Sequence, residues 1–436
     1  MSEAPLNTIE KALALNLDPL KYGTIIEIGA GQEIARWFFQ AGGAAGTIAK
    51  TMSAYDMHFS DAIYGAESDR RYVSRNRLER MLAQEYDLIL SRIKKRRPEG
   101  STFFSFANTV AAQSFEKRGE CHGWMGVRLQ SAPDLPPDDI IIHVRMLDDT
   151  NVEQQDALGI LGVNLIYGAY FYADEPERLM RSLLDNLKWG RVEIDLVDFH
   201  GPKFGSVDNR LMALELVKAS LTPAILFSPD CKVEIPSEAL YKHSVLAMRG
   251  KFKPVMNSDM ARLNHAKELF VNHPDVSLGS TIYLAEITMS ELANEGEIET
   301  ADFLSRIDQL SKLGFHVLIS EFFRYFRVRQ YLAHYTEEPV AIVTDVDGFS
   351  EVAREDYYEG LDGGILEGFG QLLPPKTTAY VCPNLDGDRV ITLDDMPIEE
   401  HLRPLITYLR GRGQLVPADD FVPKPEAPLF GKSDAA

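Results

Sequence analysis

Within nine positions, the run Asp195-Leu-Val-Asp198-Phe-His200-Gly201-Pro-Lys203 sets two carboxylates, an imidazole and an ammonium. On a strand, Ile194, Leu196, Asp198 and His200 share one face, so Asp198 and His200 stand side by side near its C-terminal end. Open α/β sheets place their ligand crevices at such ends. A carboxylate beside an imidazole can bind a metal ion, or the carboxylate can orient the imidazole as a general base. Asp198, His200 and Lys203 are therefore the candidate acid, base or metal residues. Two ligands alone do not define a metal site. The competing reading is a hydrogen-bonded loop in which Asp208 or Asn209 caps the next helix.

A second constellation could hold an anion. Glu27-Ile-Gly29-Ala-Gly31-Gln32 follows an apolar run and precedes a helical pattern, with Gly42, Gly43 and Gly46 one helix later. Glycines between strand and helix let backbone N–H groups approach a phosphate at the positive end of the helix. The motif is neither a Walker A nor a complete G-x-G-x-x-G, and a tight turn without ligand explains it equally well. Lys50-Thr51-Met-Ser53-Ala-Tyr55-Asp56 adds a lysine, two hydroxyls, a phenol and a carboxylate. Thr51 and Ser53 fall on one strand face and Lys50 on the other. The ligand-binding candidates are thus Glu27, Gly29, Gly31, Gln32, Lys50, Thr51, Ser53 and Asp56, with Asp208 and Asn209. Weaker groups are Tyr241-Lys242-His243, Arg249-Gly250-Lys251, Asn257 with Asp259, and a glycine-dense turn at 362–370. The aromatic–arginine run at 322–327 reads as a helix core face with solvated arginines.

Alternating strand-like and helix-like runs must position these residues, which is the α/β pattern. Strands are expected at 24–28, 48–55, 102–106, 124–129, 140–146, 164–172, 191–199, 224–227, 244–248, 281–287, 315–319 and 340–343. Helices are expected at 33–39, 75–95, 152–161, 209–219, 302–312 and 322–334. The fold class is α/β, with two or three α/β domains and mixed sheets. The expected division is 1–188, carrying the glycine-rich turn, then 189–416, then a flexible tail at 417–436 rich in Pro, Asp and Lys.

The 436 residues exceed one ordinary core. A net charge of −20 argues against a general nucleic-acid binder. The basic run at 92–97 reads as a solvated helix end before Pro98. Cys121, Cys231 and Cys382 lack CxxC spacing, which fits a reducing compartment. Cys121-His122 is no dyad, because neighbours on a strand point to opposite faces. The N-terminal residues do not form a signal peptide, and no apolar run approaches the roughly 18 residues of a spanning helix. The expectation is a cytoplasmic protein with no membrane or nucleic-acid partner, its partner a small phosphorylated metabolite, and a homo-oligomer compatible with the sequence. GxSxG, HExxH and Walker A motifs are absent.

Two resemblances bear on function. Residues 22–170 resemble, in their order of elements, the nicotinamide-nucleotide amidohydrolase domain of CinA-type proteins. The matching pieces are Ile25-Ile26-Glu27-Ile28-Gly29-Ala30-Gly31, then Gly42 to Tyr55, then the strand–loop–strand from Phe103 to Leu129. Where that family places its catalytic serine, just after the glutamate, this sequence has Ile28. Over most of 22–382 the chain also looks like a bacterial group often labelled nicotinate- or nicotinamide-nucleotide adenylyltransferases. That likeness rests on 46–56, 208–211 and 362–370; the H-x-G-H phosphate motif of true adenylyltransferases is absent. Together the resemblances imply an enzyme for a phosphorylated, pyridine-nucleotide-like ligand bound between two α/β domains, without naming a reaction. Mg²⁺ and ATP are the cofactors a nucleotidyl transfer would require. The rivals are a non-catalytic scaffold that binds a metabolite, and a metal-dependent hydrolase centred on Asp198 and His200.

Overall fold

Short β-branched and aromatic runs form the strands, and the polar-capped amphipathic runs between them form the helices. The computed structural model describes residues 5–29, 32–67, 71–113, 119–276, 279–293, 296–423 and 426–430. The chain divides into unit 1, Met1–Thr222, and unit 2, Pro223–Ala436. It is a mixed α/β protein in both units.

Unit 1 contains strands β1 (Lys21–Ile28), β2 (Ile48–Ser53), β3 (Thr102–Ala111), β4 (His122–Leu129), β5 (Asp138–Met146) and β6 (Val192–His200). Its helices are α1 (Thr8–Asn16), α2 (Glu33–Ala41), α3 (Met57–Tyr64), α4 (Arg75–Ile93), α5 (Asn151–Phe171), α6 (Pro176–Ser182) and α7 (Asn209–Lys218). The sheet order is β2-β1-β3-β4-β5-β6. β2, β1 and β3 run parallel; β4, β5 and β6 then alternate in direction. The boundary expected near 188 therefore moves to 222, because β6 completes the first sheet and does not begin a second one.

The strand expected at 164–172 is instead the C-terminal half of α5. Its near-continuous apolar run reads like a buried strand, but Thr150 caps a helix that is buried almost all round. Asn164 in its middle accepts Lys11 Nζ at 2.8 Å and donates to the carbonyls of Leu183 and Asp185. Gly162 lets α2 approach: a Cβ there would lie 2.2 Å from the Ile34 Cδ1 atom.

Unit 2 holds strands β7 (Ala224–Phe227), β8 (Val233–Glu234), β9 (Ser244–Arg249), β10 (Thr281–Thr288), β11 (His316–Ser320), β12 (Val340–Asp345) and β13 (Thr377–Cys382). A hairpin, β14 (Asn384–Asp386) and β15 (Arg389–Ile391), and the short β16 (Leu415–Pro417) follow. The helices are α8 (Pro236–Ala239), α9 (Asn257–Val271), α10 (Met289–Leu292), α11 (Thr300–Lys312), α12 (Tyr325–Tyr335), α13 (Val346–Val352), α14 (Gly364–Leu372) and α15 (Arg403–Gly411). The sheet order is β16-β13-β12-β9-β10-β11-β7-β8. From β16 to β11 all neighbours are parallel, whereas β7 and β8 are antiparallel additions. Counted from β9, the parallel part has the order 3-2-1-4-5-6 of a doubly wound sheet.

Two expectations in unit 2 change. The glycine-dense stretch at 362–370 is mostly helix α14, in which Gly368 admits the Tyr358 ring. The stretch expected to be a loose tail is docked as far as it is described. Ala418 N–H bonds the Val381 carbonyl, Leu429 N–H bonds the Val255 carbonyl, and Ala418 and Phe421 are buried.

Gly162→Val tests the α2–α5 contact. Overpacking costs about 1–3 kcal/mol, so the denaturant midpoint should fall with an unchanged slope.

Candidate functional site

In unit 1, β1 ends at Glu27, Ile28 and Gly29. Gly29 has φ 93°, and a Cβ there would sit 2.0 Å from the Val110 carbonyl oxygen, so the turn requires glycine. Gln32 is the N-cap of α2 without a side-chain cap bond. Gly31 lies outside the described residues. The positive end of α2 is occupied from within: the Glu27 carboxylate accepts Ile34 N–H at 3.1 Å and Ala35 N–H at 3.2 Å. Ser53 joins this turn by donating its hydroxyl to the Glu27 carbonyl at 2.7 Å. The anion expected here is replaced by a carboxylate of the chain itself.

Lys50 lies on the other sheet face, as alternation requires, and pairs with Glu85, which also accepts the Tyr64 hydroxyl at 2.9 Å. Thr51 is half-buried between these two groups in sequence. Asp56 is the N-cap of α3, accepting Phe59 N–H at 2.8 Å. Glu27, Ser53, Lys50 and Asp56 thus each have a local structural task.

Asp198 and His200 do stand together, with Nε2 of the imidazole 2.8 Å from Oδ2 of the carboxylate. Asn209 joins them by donating to Asp198 Oδ1 at 2.6 Å. Arg75, absent from the sequence candidates, completes the cluster: its Nη2 is 2.5 Å from Asp198 Oδ2 and 3.2 Å from His200 Nε2. A guanidinium therefore sits between the two would-be metal ligands. Among the described residues no group of three or more His, Cys, Asp or Glu side chains could hold a metal ion. Asp198 and His200 by themselves make up no such group. Lys203 is drawn away, its ammonium pairing with Asp174 and its N–H donating to Asp138 at 2.8 Å. Asp208 caps α7 and forks onto Arg210.

The two constellations do not meet. Register carries Glu27 through Asn108, Met125 and Ile142 to Val197, so Asp198 faces the opposite side of the sheet. Four strand spacings separate them, roughly 19 Å. Because β6 is antiparallel to β5, its C-terminal end does not coincide with the C-terminal end of β1.

Unit 2 carries a crevice where its strand order reverses, between β9 and β12. A cleft of about 260 Å³ is lined by Ser258, Arg262, Asp345, Asp347 and Asn384, among others. Ser258 and Arg262, one turn apart on α9, share a face. Arg262 Nη1 reaches Asp345 Oδ2 at 2.9 Å, while Asp345 Oδ1 caps α13 through Gly348 N–H at 2.8 Å. Asn384 donates to Asp347 at 2.5 Å. Among the described residues, Ser258 Oγ and Asn384 Oδ1 are buried with no hydrogen-bond partner. The docked C-terminal stretch supplies Phe421, Pro423 and Glu426 to the rim. Its Ala427 carbonyl also takes the Asn257 N–H at the start of α9, at 2.9 Å.

Of the sequence candidates, only Asn257 and Asp259 adjoin this crevice. Arg249, expected to face an anion, is instead buried against Glu286, with contacts of 2.7 and 2.9 Å, and donates to the carbonyls of Phe322 and Phe323. This clamp delays the start of α12 from the expected 322 to Tyr325. The missed residues had one usable signal, the apolar run at 377–382 that forms β13 and would have extended the parallel order.

No family model matches the chain, and no curated protein matches it. Solved structures similar to part of the chain include three competence-related proteins. The competence/damage-inducible protein CihA of Agrobacterium tumefaciens is 18% identical, covering 38% of this chain and 97% of its own, at TM-score 0.28. A CinA-superfamily protein of Enterobacter cloacae is 11% identical over 39% of this chain and 96% of its own, at 0.30. A competence or damage-inducible protein of Enterobacter asburiae is 12% identical over 38% and 99%, at 0.27.

The Glu27 cap has a pH signature. Burial pushes its carboxyl up to about 7, against the lowering effect of the two amides. A carboxyl raised in the folded state makes the native form bind more protons than the unfolded one. Stability should therefore fall as pH rises from about 4.5 to 7, by on the order of 3 kcal/mol in all. Urea unfolding across this window should show that slope, and Glu27→Gln should flatten it.

Proposed function

We propose that the chain is an enzyme acting on a phosphorylated, nucleotide-like metabolite of the pyridine-mononucleotide class, bound in the switch-point crevice of unit 2. One observation carries this reading: where a 3-2-1-4-5-6 sheet reverses its order, two buried polar atoms, Ser258 Oγ and Asn384 Oδ1, lack partners among the described residues beside Arg262. Doubly wound sheets bind nucleotides outside the carboxyl ends of the strands at this reversal. Buried polar atoms without partners cost stability that a ligand or water can restore.

The chemistry of the lining divides the ligand. Arg262 suits a phosphate, although it must be shared with Asp345. Ser258 and Asn384 suit ribose hydroxyls or a ring amide. The cleft is smaller than the roughly 300–1,000 Å³ of a drug-sized site, which favours a mononucleotide over a dinucleotide. Asp347 and Glu426 are the carboxylates that a nucleotide-borne Mg²⁺ would meet, since Mg²⁺ is held by one or two carboxylates together with phosphates.

Thermal and chemical unfolding with nicotinate mononucleotide, nicotinamide mononucleotide and ATP, each with and without Mg²⁺, tests the reading. A ligand at 100 times its dissociation constant should stabilise the fold by about 2.7 kcal/mol. Arg262→Ala should abolish that gain. Absence of any stabilisation by all three nucleotides would overturn the proposal in favour of a non-catalytic scaffold.

A further inference from the structure

Unit 1 contains a buried hydrogen-bond chain that none of the roles above uses. Asp195 and His143 are almost fully buried, and Asp195 Oδ1 lies 2.6 Å from His143 Nδ1. His143 Nε2 lies 3.0 Å from His122 Nδ1. His122 opens β4 and is only half-buried, so the chain runs from the interior to the surface. A β-bulge builds it: His143 pairs with Leu196 and Val144 with Ile194, leaving Asp195 as the extra residue on β6. Bulges re-aim side chains, and this one turns a carboxylate onto the imidazole. The Trp124 ring, 4.9 Å from the His143 ring, covers the link with apolar surface.

One arrangement of the protons in this chain leaves a base at its surface end. With Asp195 ionised and His143 neutral, the proton between them sits on Nδ1, so His143 Nε2 is an acceptor. His122 must then donate from its own Nδ1, which leaves a lone pair on its Nε2. Among the described residues, no hydrogen-bond partner takes that Nε2 atom. Burial holds the His122 pKa below its ordinary value, so the imidazole is neutral at physiological pH.

We propose that His122 is the general base of a separate hydrolytic site in unit 1, with His143 and Asp195 as positioning residues, acting on uncharged esters. In the step, a water oxygen attacks the ester carbonyl carbon and passes its proton to His122 Nε2. The carbonyl π pair moves to oxygen. On collapse the ester C–O bond breaks, and the leaving alkoxide takes the proton back from Nε2. Asp195 offsets the positive charge that develops along the two imidazoles. The local charge bounds the substrate class. Glu120, Glu193 and Asp195 act on His122 or lie beside the chain, and Arg145 is already paired with Glu193 at 2.9 Å, which disfavours an anionic substrate.

The site stands on unit 1 alone and is independent of the nucleotide reading. The test is hydrolysis of p-nitrophenyl acetate by the full chain, followed as kcat and KM. His122→Ala should lower kcat about 100-fold, the usual contribution of a general base. Asp195→Asn should lower kcat at least about ten-fold at unchanged KM, by reversing the His143 tautomer. ¹⁵N-resolved NMR of the unaltered protein should place both imidazole protons on Nδ1. Unchanged hydrolysis in His122→Ala, or a His143 proton on Nε2, would overturn the assignment. If Asp195→Asn does not fold, the half-buried His122→Ala variant and the tautomer measurement decide.

Discussion

A carboxylate taken out of water costs several kcal/mol unless donors meet it, and the positions of such carboxylates organise both units. Glu27 is met by the first amides of α2, which fixes that helix against the end of β1. Asp195 is met by His143, which requires the bulge in β6. In unit 2, Glu286 is met by the Arg249 fork and by Ser320 Oγ at 2.6 Å. That clamp ties the ends of β9, β10 and β11 together and draws in the carbonyls that precede α12. Remove a donor set and the strand ends around it lose their reason to converge.

The same constraint explains why so many polar candidates turn out to be structural. A cluster of Lys, Ser, Thr, Asp and Glu at a strand end looks alike in sequence whether it waits for a ligand or satisfies its neighbours. Lys50 neutralises Glu85, Asp56 and Asp208 cap helices, and Lys203 pairs with Asp174. The decisive partners, Glu85, Arg75 and Asp174, lie tens of residues away. Their contacts depend on how α4 and the α5–α6 segment pack, which local spacing does not encode.

Much of the fold was nevertheless legible. The expected strands at 224–227, 244–248, 281–287 and 315–319 match β7, β9, β10 and β11 within a residue or two, because short apolar runs between turns have few alternatives. The failure at 164–172 has the same origin. A helix buried on all sides has no polar face, so its periodicity vanishes and it imitates a buried strand. The pairing of Asp198 with His200 was readable from alternation alone, and it is observed. Its place in the sheet was not. Alternation gives the face of a side chain but not the direction of its strand, and β6 runs antiparallel to its neighbour.

Strand direction also explains why the crevice of unit 2 left no motif. A G-x-G-x-x-G turn marks a nucleotide site only when the first strand hands directly to a helix. Here β9 leads into Gly250, Lys251 and Phe252, whose ring approaches the Gly250 backbone. The helix begins only at Asn257. The crevice itself comes from topology: β10 and β11 build outward from one side of β9, and β12 and β13 from the other. The connections after β9 and β12 lead away into α9 and α13, so a cleft remains where the strand order reverses. What lines it is then set by whichever residues α9, β12 and the β13–β14 connection present, and these are Ser258, Arg262, Asp345 and Asn384. A site of this kind is specified by the order of six strands, and its polar residues acquire meaning only once that order is known.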